Sequence, residues 1–481
     1  MIILGSGLGG LTAAALLSRK GVSVLLLREK SSESSFVRDG YHFVPFSNFS
    51  ERIVRPEILK WLSRVLPLSP SSSAPGGTGQ PRRKSSPSKD RVAFQAILPN
   101  SRIDLFEDRG KLLKEWEREF PKEVARLDEF HHKMDLLAQK RKEGKPELNA
   151  WPFCVSESRG FFTRWFSSDS LLDLSSFSRE LRQLIRLQLI SWGNFMTDEF
   201  HDSLAASLLS GIRSSLLFPA SASEDLKRRI LAALIDRGGR VEEIDGIKEA
   251  TIHWRTGVTI ISEEDRKEFR SRLLIINAPL HRMAEVPGTL GKKLSRDGRR
   301  IRPGYVSIPL FLGLQEKVIP VGMRDLLVSI ADLEKPYEGG NILFISLSPA
   351  GEEREAPEGR RAVTVQSLVP MGKLDRTSLM DHQRMVMEHL GGLIPYLDRH
   401  TDFVEFDWTF DQVSRWSHWE YPHFVYETSS GFRWEEGILP VRLSRGVYLS
   451  GKECFPYLGL EGEVWCGWKV AGAILKKLGR S

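Results

Sequence analysis

Six residues near the amino end have the types and spacing to do chemistry. Gly5-Ser6-Gly7-Leu8-Gly9-Gly10 is a G-x-G-x-x-G run, the pattern that holds the diphosphate of a dinucleotide. Gly5 permits a tight turn, Gly7 lets the backbone approach a pyrophosphate, and Gly10 allows a helix to pack closely on a strand. The chemistry is anion capture, because a helix that begins at such a turn points unpaired N–H groups at the ligand. The elements that must hold the turn stand on either side of it. Ile2–Leu4 is a short apolar strand, Leu11–Lys20 reads as a helix rich in Ala and Leu, and Gly21 breaks it. Val22–Leu27 is a nearly continuous apolar run, as expected for a parallel strand covered on both faces. Strand, turn, helix and strand make a βαβ unit.

Other chemistries find little support. The chain has no H-E-x-x-H, Walker A, G-x-S-x-G or kinase motif set, and no catalytic residue is singled out. His131-His132 lies on a predicted helix without a third ligand at metal spacing, so it reads as a core or solvated pair, and no metal site is expected. His418 and His423 stand among Trp416, Trp419, Tyr421, Phe424 and Tyr426, an aromatic cluster that reads first as core packing. Over 481 residues, 41% are hydrophobic and 27% charged, which excludes wholesale disorder and a polytopic membrane protein. With 69 basic and 62 acidic residues the net charge is +7, and no nucleic-acid-binding pattern accompanies it. Cys154, Cys454 and Cys466 are odd in number and far apart, which fits reduced thiols. No secretory signal leads the sequence, so a cytoplasmic protein is expected, either free or associated with a membrane surface.

Further along, residues 69–90 are rich in Ser, Pro, Gly and basic side chains and read as a disordered insertion. Phe94–Leu98 and Ile103–Leu105 flank Pro99-Asn100 as a hairpin. Trp116, Phe120, Val124, Leu127, Met134 and Leu137 follow helical steps, with Pro121 marking a break. A helix over 224–237 ends at Gly238-Gly239, and Val241 opens a strand-rich stretch closing at Leu273–Ile276. Tyr305–Leu314, Ile342–Leu347 and Ala362–Leu368 read as strands, and 463–478 as a helix. Phe161, Phe162 and Trp165, followed by a helical stretch Leu171–Trp192 with Arg179, Arg182 and Arg186, form an aromatic–basic combination that suits a membrane interface. A core helix is the equal alternative for that stretch.

Taken nearly end to end, the chain resembles the phytoene desaturase-related branch of the FAD-dependent oxidoreductases, which includes carotenoid desaturases and isomerases and retinol saturases. The resemblance rests on IILGSGLGGLTAAALLSRKGVSVLLL, FQAILPNSRIDLFEDRGKLLKEWEREFPKEVARLDEF, LLIINAP, ISLSPAGEEREAPEGRRAVTVQSLVP and GVYLSGKECFPYLGLEGEVWCGWKVAGAIL. It implies an α/β fold: a discontinuous Rossmann-like FAD-binding domain from residues 1–68, 205–280 and 431–481, with an α+β substrate domain containing a mixed sheet from 91–204 and 281–430. It implies FAD as cofactor and a long apolar, isoprenoid-like or lipid substrate. Gly5, Ser6, Gly7, Gly9 and Gly10 would hold the diphosphate, the backbone of Val241 would contact adenine, and Gly462, Glu463 and Val464 would lie at the flavin ring.

Four positions depart from that pattern. Arg28 stands where an acid for the ribose is expected, with Glu29 one place late. The G-G-R that usually follows is absent from Lys30–Phe36, a glycine pair is replaced by Ser221-Ala222-Ser223, and the late Gly-Asp becomes Gly451-Lys452, with Glu453 one place late. Adjacent strand residues face opposite ways, so Glu29 replaces its neighbour only at a bulge or strand end. An arginine after the second strand also suits a 2′-phosphate, which leaves NADP as an alternative. A lipid-binding protein that has lost its cofactor and an amine or porphyrinogen oxidase on the same fold are the other readings. The oligomeric state is not legible.

Overall fold

The computed structural model describes residues 1–30, 36–44, 49, 53–66, 92–142, 171–197, 199–214, 216–217, 220–253, 255–406, 423–428 and 437–480. The expected insertion at 69–90, the aromatic run Phe161–Trp165, His418 and its aromatic neighbours up to Tyr421, and Cys154 lie outside these residues.

The glycine turn is built into a six-stranded sheet. Its strands are β1 (Ile2–Leu4), β2 (Leu25–Glu29), β3 (Arg240–Ile244), β4 (Leu274–Ile276), β5 (Arg442–Ser444) and β6 (Val447–Leu449), in the spatial order β5-β6-β4-β1-β2-β3. All neighbours are parallel except β5 with β6. The triplets Ile2-Ile3-Leu4, Leu274-Ile275-Ile276 and Val447-Tyr448-Leu449 are wholly buried, as parallel strands covered on both faces must be. Three distant stretches of chain thus make one sheet.

Helix α1 (Leu8–Arg19) starts at the glycine turn, and eleven of its residues, Leu8 to Ser18, are buried. Its partner across a close contact is the C-terminal helix, Gly459–Lys477. A Cβ on Gly467 would lie 2.3 Å from the carbonyl oxygen of Gly9, so both helices need glycine there. The helix Ala220–Ile235 packs on the same face and ends at Gly238, whose φ of 78° is the left-handed conformation of a helix stop. A three-stranded meander, Ile247–His253, Gly257–Ser262 and Glu268–Ser271, joins β3 to β4.

The second sheet has eight strands. Its path runs 401–405, 301–315, 360–370, 342–347, 326–330, 92–97 and 102–106, and 423–428 also pairs with 301–315. It is mixed, since 326–330 runs parallel to 92–97 while the other pairs are antiparallel. Helix Arg376–Leu393, capped by the Asp375 carboxylate, packs Val386 and Leu390 against Leu310, Leu312, Val363 and Val365 on one face. The predicted hairpin and the two helices around Pro121 are present, over 92–106, 109–119 and 124–142.

Some boundaries differ from expectation. Leu171–Trp192 is helical only from Arg179 to Ser191, because Ser178 caps the helix by accepting from the Leu181 N–H. The C-terminal helix starts at Gly459, a turn before Glu463. His131 is buried and stacks on Trp116 with ring centroids 4.4 Å apart, while His132 is exposed; the pair is core and surface, and no metal-holding group occurs among the described residues.

Candidate dinucleotide site

At the carboxyl ends of β1, β2, β4 and β6 four loops converge, which is where open α/β sheets bind ligands. Gly5 has φ of +98°, and a Cβ there would meet the Asn277 carbonyl oxygen at 2.2 Å, so glycine is required on both counts. Asn277, just past β4, fills the space beneath the turn. A Cβ on Gly7 or Gly10 would come within 2.6 or 2.8 Å of its Oδ1, and its amide donates to the Ser450 carbonyl. Gly7 is the N-cap of α1 and provides no side-chain cap, so the first amides of the helix are left for an external anion. Asn277 Oδ1, Ser450 Oγ and Thr12 Oγ1 around this turn are buried without a hydrogen-bond partner. Ser6 is half-buried in the turn. The free first-turn amides and the side-chain-free glycine turn fit a diphosphate.

The end of β2 is charged. Arg28 pairs in register with Glu243 on β3, and its Nε donates to Glu243 Oε1 at 3.0 Å. Glu29 is the last residue of β2 and lies on the other face, where it is the largest opposing charge to the half-buried guanidinium of Arg282, whose pKa burial lowers. The β2–β3 ladder has no bulge. Val241 lies half-buried on β3, side by side with Leu26.

The segment after β6 carries three buried glutamates, each held by the protein. Glu453 Oε1 accepts from the Leu280 N–H at 2.8 Å and from the Tyr426 hydroxyl at 3.1 Å. Burial pushes the Glu453 carboxyl up and, with the nearby carboxylate, pushes the Tyr426 phenol well up. Glu461 is bound by Arg55 through its backbone N–H at 3.0 Å and its Nε at 2.7 Å, and the guanidinium lies over the Trp192 ring at 5.4 Å. Glu463 lies 3.9 Å from the Lys452 ammonium. Gly451 packs against the Glu453 carboxylate. Gly462 and Val464 are buried one residue or more past the first-turn amides of Gly459, Leu460 and Glu461, which have no partner within the helix. A Cβ on Gly462 would meet the Phe455 carbonyl oxygen at 2.4 Å.

Cys454 and Cys466 are buried free thiols, Cys466 Sγ donates to the Leu449 carbonyl at 3.4 Å, and the neighbouring Cys466 together with burial raises the Cys454 thiol pKa. Ser223 is buried where a glycine was expected. Beside the start of the C-terminal helix, a cavity is lined by Phe49, Ile190, Phe195, Met196, Phe344 and Val425 among others, and the Asn194 N–H ties its wall to the Pro456 carbonyl at 2.8 Å.

Sequence reasoning found the turn but missed Asn277, Glu243 and the Arg55–Glu461 and Tyr426–Glu453 pairs. Only Glu453 gave a signal, as an acid one place late.

The fold and the turn are those of a Rossmann-like α/β protein with a second, mixed sheet. The model of an NAD(P)-binding Rossmann-like domain matches residues 3–36. Chloroplastic prolycopene isomerase from Arabidopsis thaliana is 22% identical over 408 residues, 76% of this chain, and the chain spans 62% of that relative's length. Putrescine oxidase bound to putrescine has a TM-score of 0.60 at 15% identity, covering 99% of this chain and 98% of that one. A conjugated-linoleic-acid-producing fatty acid isomerase from P. acnes has a TM-score of 0.56 at 11% identity, covering 98% and 97%. The chain thus carries a Rossmann-like segment at its amino end and shares its overall fold with an oxidase and an isomerase.

Proposed function

We propose that the protein is a flavin-dependent oxidoreductase that desaturates, saturates or isomerises carbon–carbon bonds of a long apolar, isoprenoid-like substrate. The observation that carries the reading is the uncapped α1 N-terminus at Gly7, over a turn in which side chains have no room. FAD, when bound, supplies an acceptor or donor for hydride. The α1 amides bind the diphosphate and the Asn277 side chain supports the turn from below. Phe195, Phe344 and Val425 line a small apolar cavity, and an apolar surround is what such chemistry needs more than it needs an acid–base pair. The names of the two isomerases above favour a polyene or fatty acyl chain over an amine.

A visible spectrum of the purified protein tests this. A flavin spectrum bleached by a polyene and unmoved by putrescine supports the reading. A colourless protein with no thermal shift on adding FAD rejects it, and apolar ligand retained in that sample would favour a lipid carrier.

Membrane docking by Phe161, Phe162 and Trp165 belongs to the same proposal, since such a substrate resides in lipid. No described helix is long and apolar enough to cross a membrane. The helix Arg179–Ser191, later in the sequence, is core, with Leu181, Leu184 and Leu187 buried. Changing the three aromatics to Ser should abolish co-sedimentation with anionic liposomes, and undiminished co-sedimentation sinks the docking idea.

A further inference from the structure

We infer that Glu243, held by Arg28, is the acceptor for the ribose hydroxyls of the bound dinucleotide, and that the pair selects a 2′-hydroxyl over a 2′-phosphate. This deepens the cofactor part of the reading above and rests on it. Along the carboxyl edge of the sheet the order is the glycine turn after β1, Arg28 near the end of β2, and Glu243 near the end of β3. A dinucleotide whose diphosphate sits at the N-terminus of α1 extends its nucleoside over the neighbouring strands in that direction. Arg28 can donate to a ribose hydroxyl but cannot accept a hydrogen bond from one, because a guanidinium has five donors and no acceptor. A carboxylate is needed, and β3 provides it.

The geometry leaves that carboxylate available. Both contacts from Arg28, through Nε and the terminal nitrogen, fall on Glu243 Oε1, so Oε2 keeps acceptor sites. The Glu243 side chain is 46% exposed and that of Arg28 is 32% exposed, so the pair stands at the surface of the crevice. Val241, on the same face of β3 two residues earlier, is half-buried and packs on the core beside the pair. An arginine at the end of β2 with no partner would favour a 2′-phosphate. Here its charge is already neutralised, and a phosphate would face the Glu243 carboxylate.

Titration of the full-length protein with ADP-ribose and its 2′-phosphorylated analogue tests the inference without any turnover. The wild type should bind ADP-ribose about tenfold or more tightly than the analogue, and E243Q should erase or invert that ratio. The double variant R28E/E243R moves the carboxylate onto β2 and should restore the preference. Because the pair is half-exposed, unfolding temperatures should stay close to wild type, which separates lost binding from lost folding. A ratio within twofold of wild type in E243Q overturns the inference, as does a wild type that binds neither probe or prefers the 2′-phosphate. If FAD binds and the ratio ignores Glu243, only this inference falls. If FAD fails to bind while ADP-ribose binds through Glu243, the flavin reading falls and the inference stands.

Discussion

His281 and His382 are kept neutral by burial, each with its pKa lowered from 6.5 to about 4. The ring of His281 meets Phe424 edge-on at 4.4 Å, and His382 Nε2 lies 2.7 Å from Ser367 Oγ. Between pH 6.5 and about 4 the unfolded chain takes up a proton at each histidine that the folded protein refuses. Their stability contribution is therefore full above pH 6.5 and is lost as pH falls through that window. Each site is worth about 3 kcal/mol over the full shift. Thermal unfolding followed from pH 7 to pH 4 should show a steep loss, reduced by half or so in H382N; an unchanged slope in that variant would remove His382 from the account. The Arg55–Glu461 pair makes a separate prediction. Changing Arg55→Met leaves a buried carboxylate without its cation and should cost about 3–5 kcal/mol, while R55M/E461M should recover most of it. Urea unfolding midpoints decide, and equal losses in single and double variants would contradict the pairing.

At the level of elements, the helix contact that holds the glycine turn can be tested within one helix. Gly467 touches the Gly9 carbonyl, whereas a Cβ on Gly472 meets nothing within 4 Å. G467A should lose about 1–3 kcal/mol through overpacking and weaken FAD binding, because the displaced partner is the turn itself. G472A should gain up to about 1 kcal/mol from helix propensity alone. Thermal unfolding with an FAD titration checks both, and equal effects would show that the contact is not special. Much at this scale was legible in the residues. The turn, the hairpin around Pro99-Asn100 and the break at Pro121 are written in local chemistry, and each was recovered. Where a helix begins was harder, because caps compete with periodicity: Ser178 starts one helix late and Gly459 starts another early.

Across the whole molecule, the contacts that matter at the site join residues far apart in sequence. Arg28 meets Glu243, Arg55 meets Glu461, and Asn277 meets Ser450, and no local pattern announces such pairs. An excess positive charge at Arg28 or Lys452 was visible in the sequence, yet its compensation by Glu243 and Glu463 was not. The Tyr426–Glu453 bond is of this kind, and it ties strand 423–428 of the eight-stranded sheet to the loop following β6 of the dinucleotide sheet. Glu453 has its pKa raised by burial, so its contribution is full below its unfolded value of 4.5 and declines as pH rises through the folded one. Removing the phenol hydroxyl withdraws one of two donors to a buried carboxyl. Y426F should therefore lose about 1–3 kcal/mol at pH 8 and less at pH 5, where the proton is more readily kept. Because the bond spans two sheets, amide exchange should quicken together in 423–428 and 451–455. Faster exchange confined to 423–428 would show that the two sheets are not coupled through this bond.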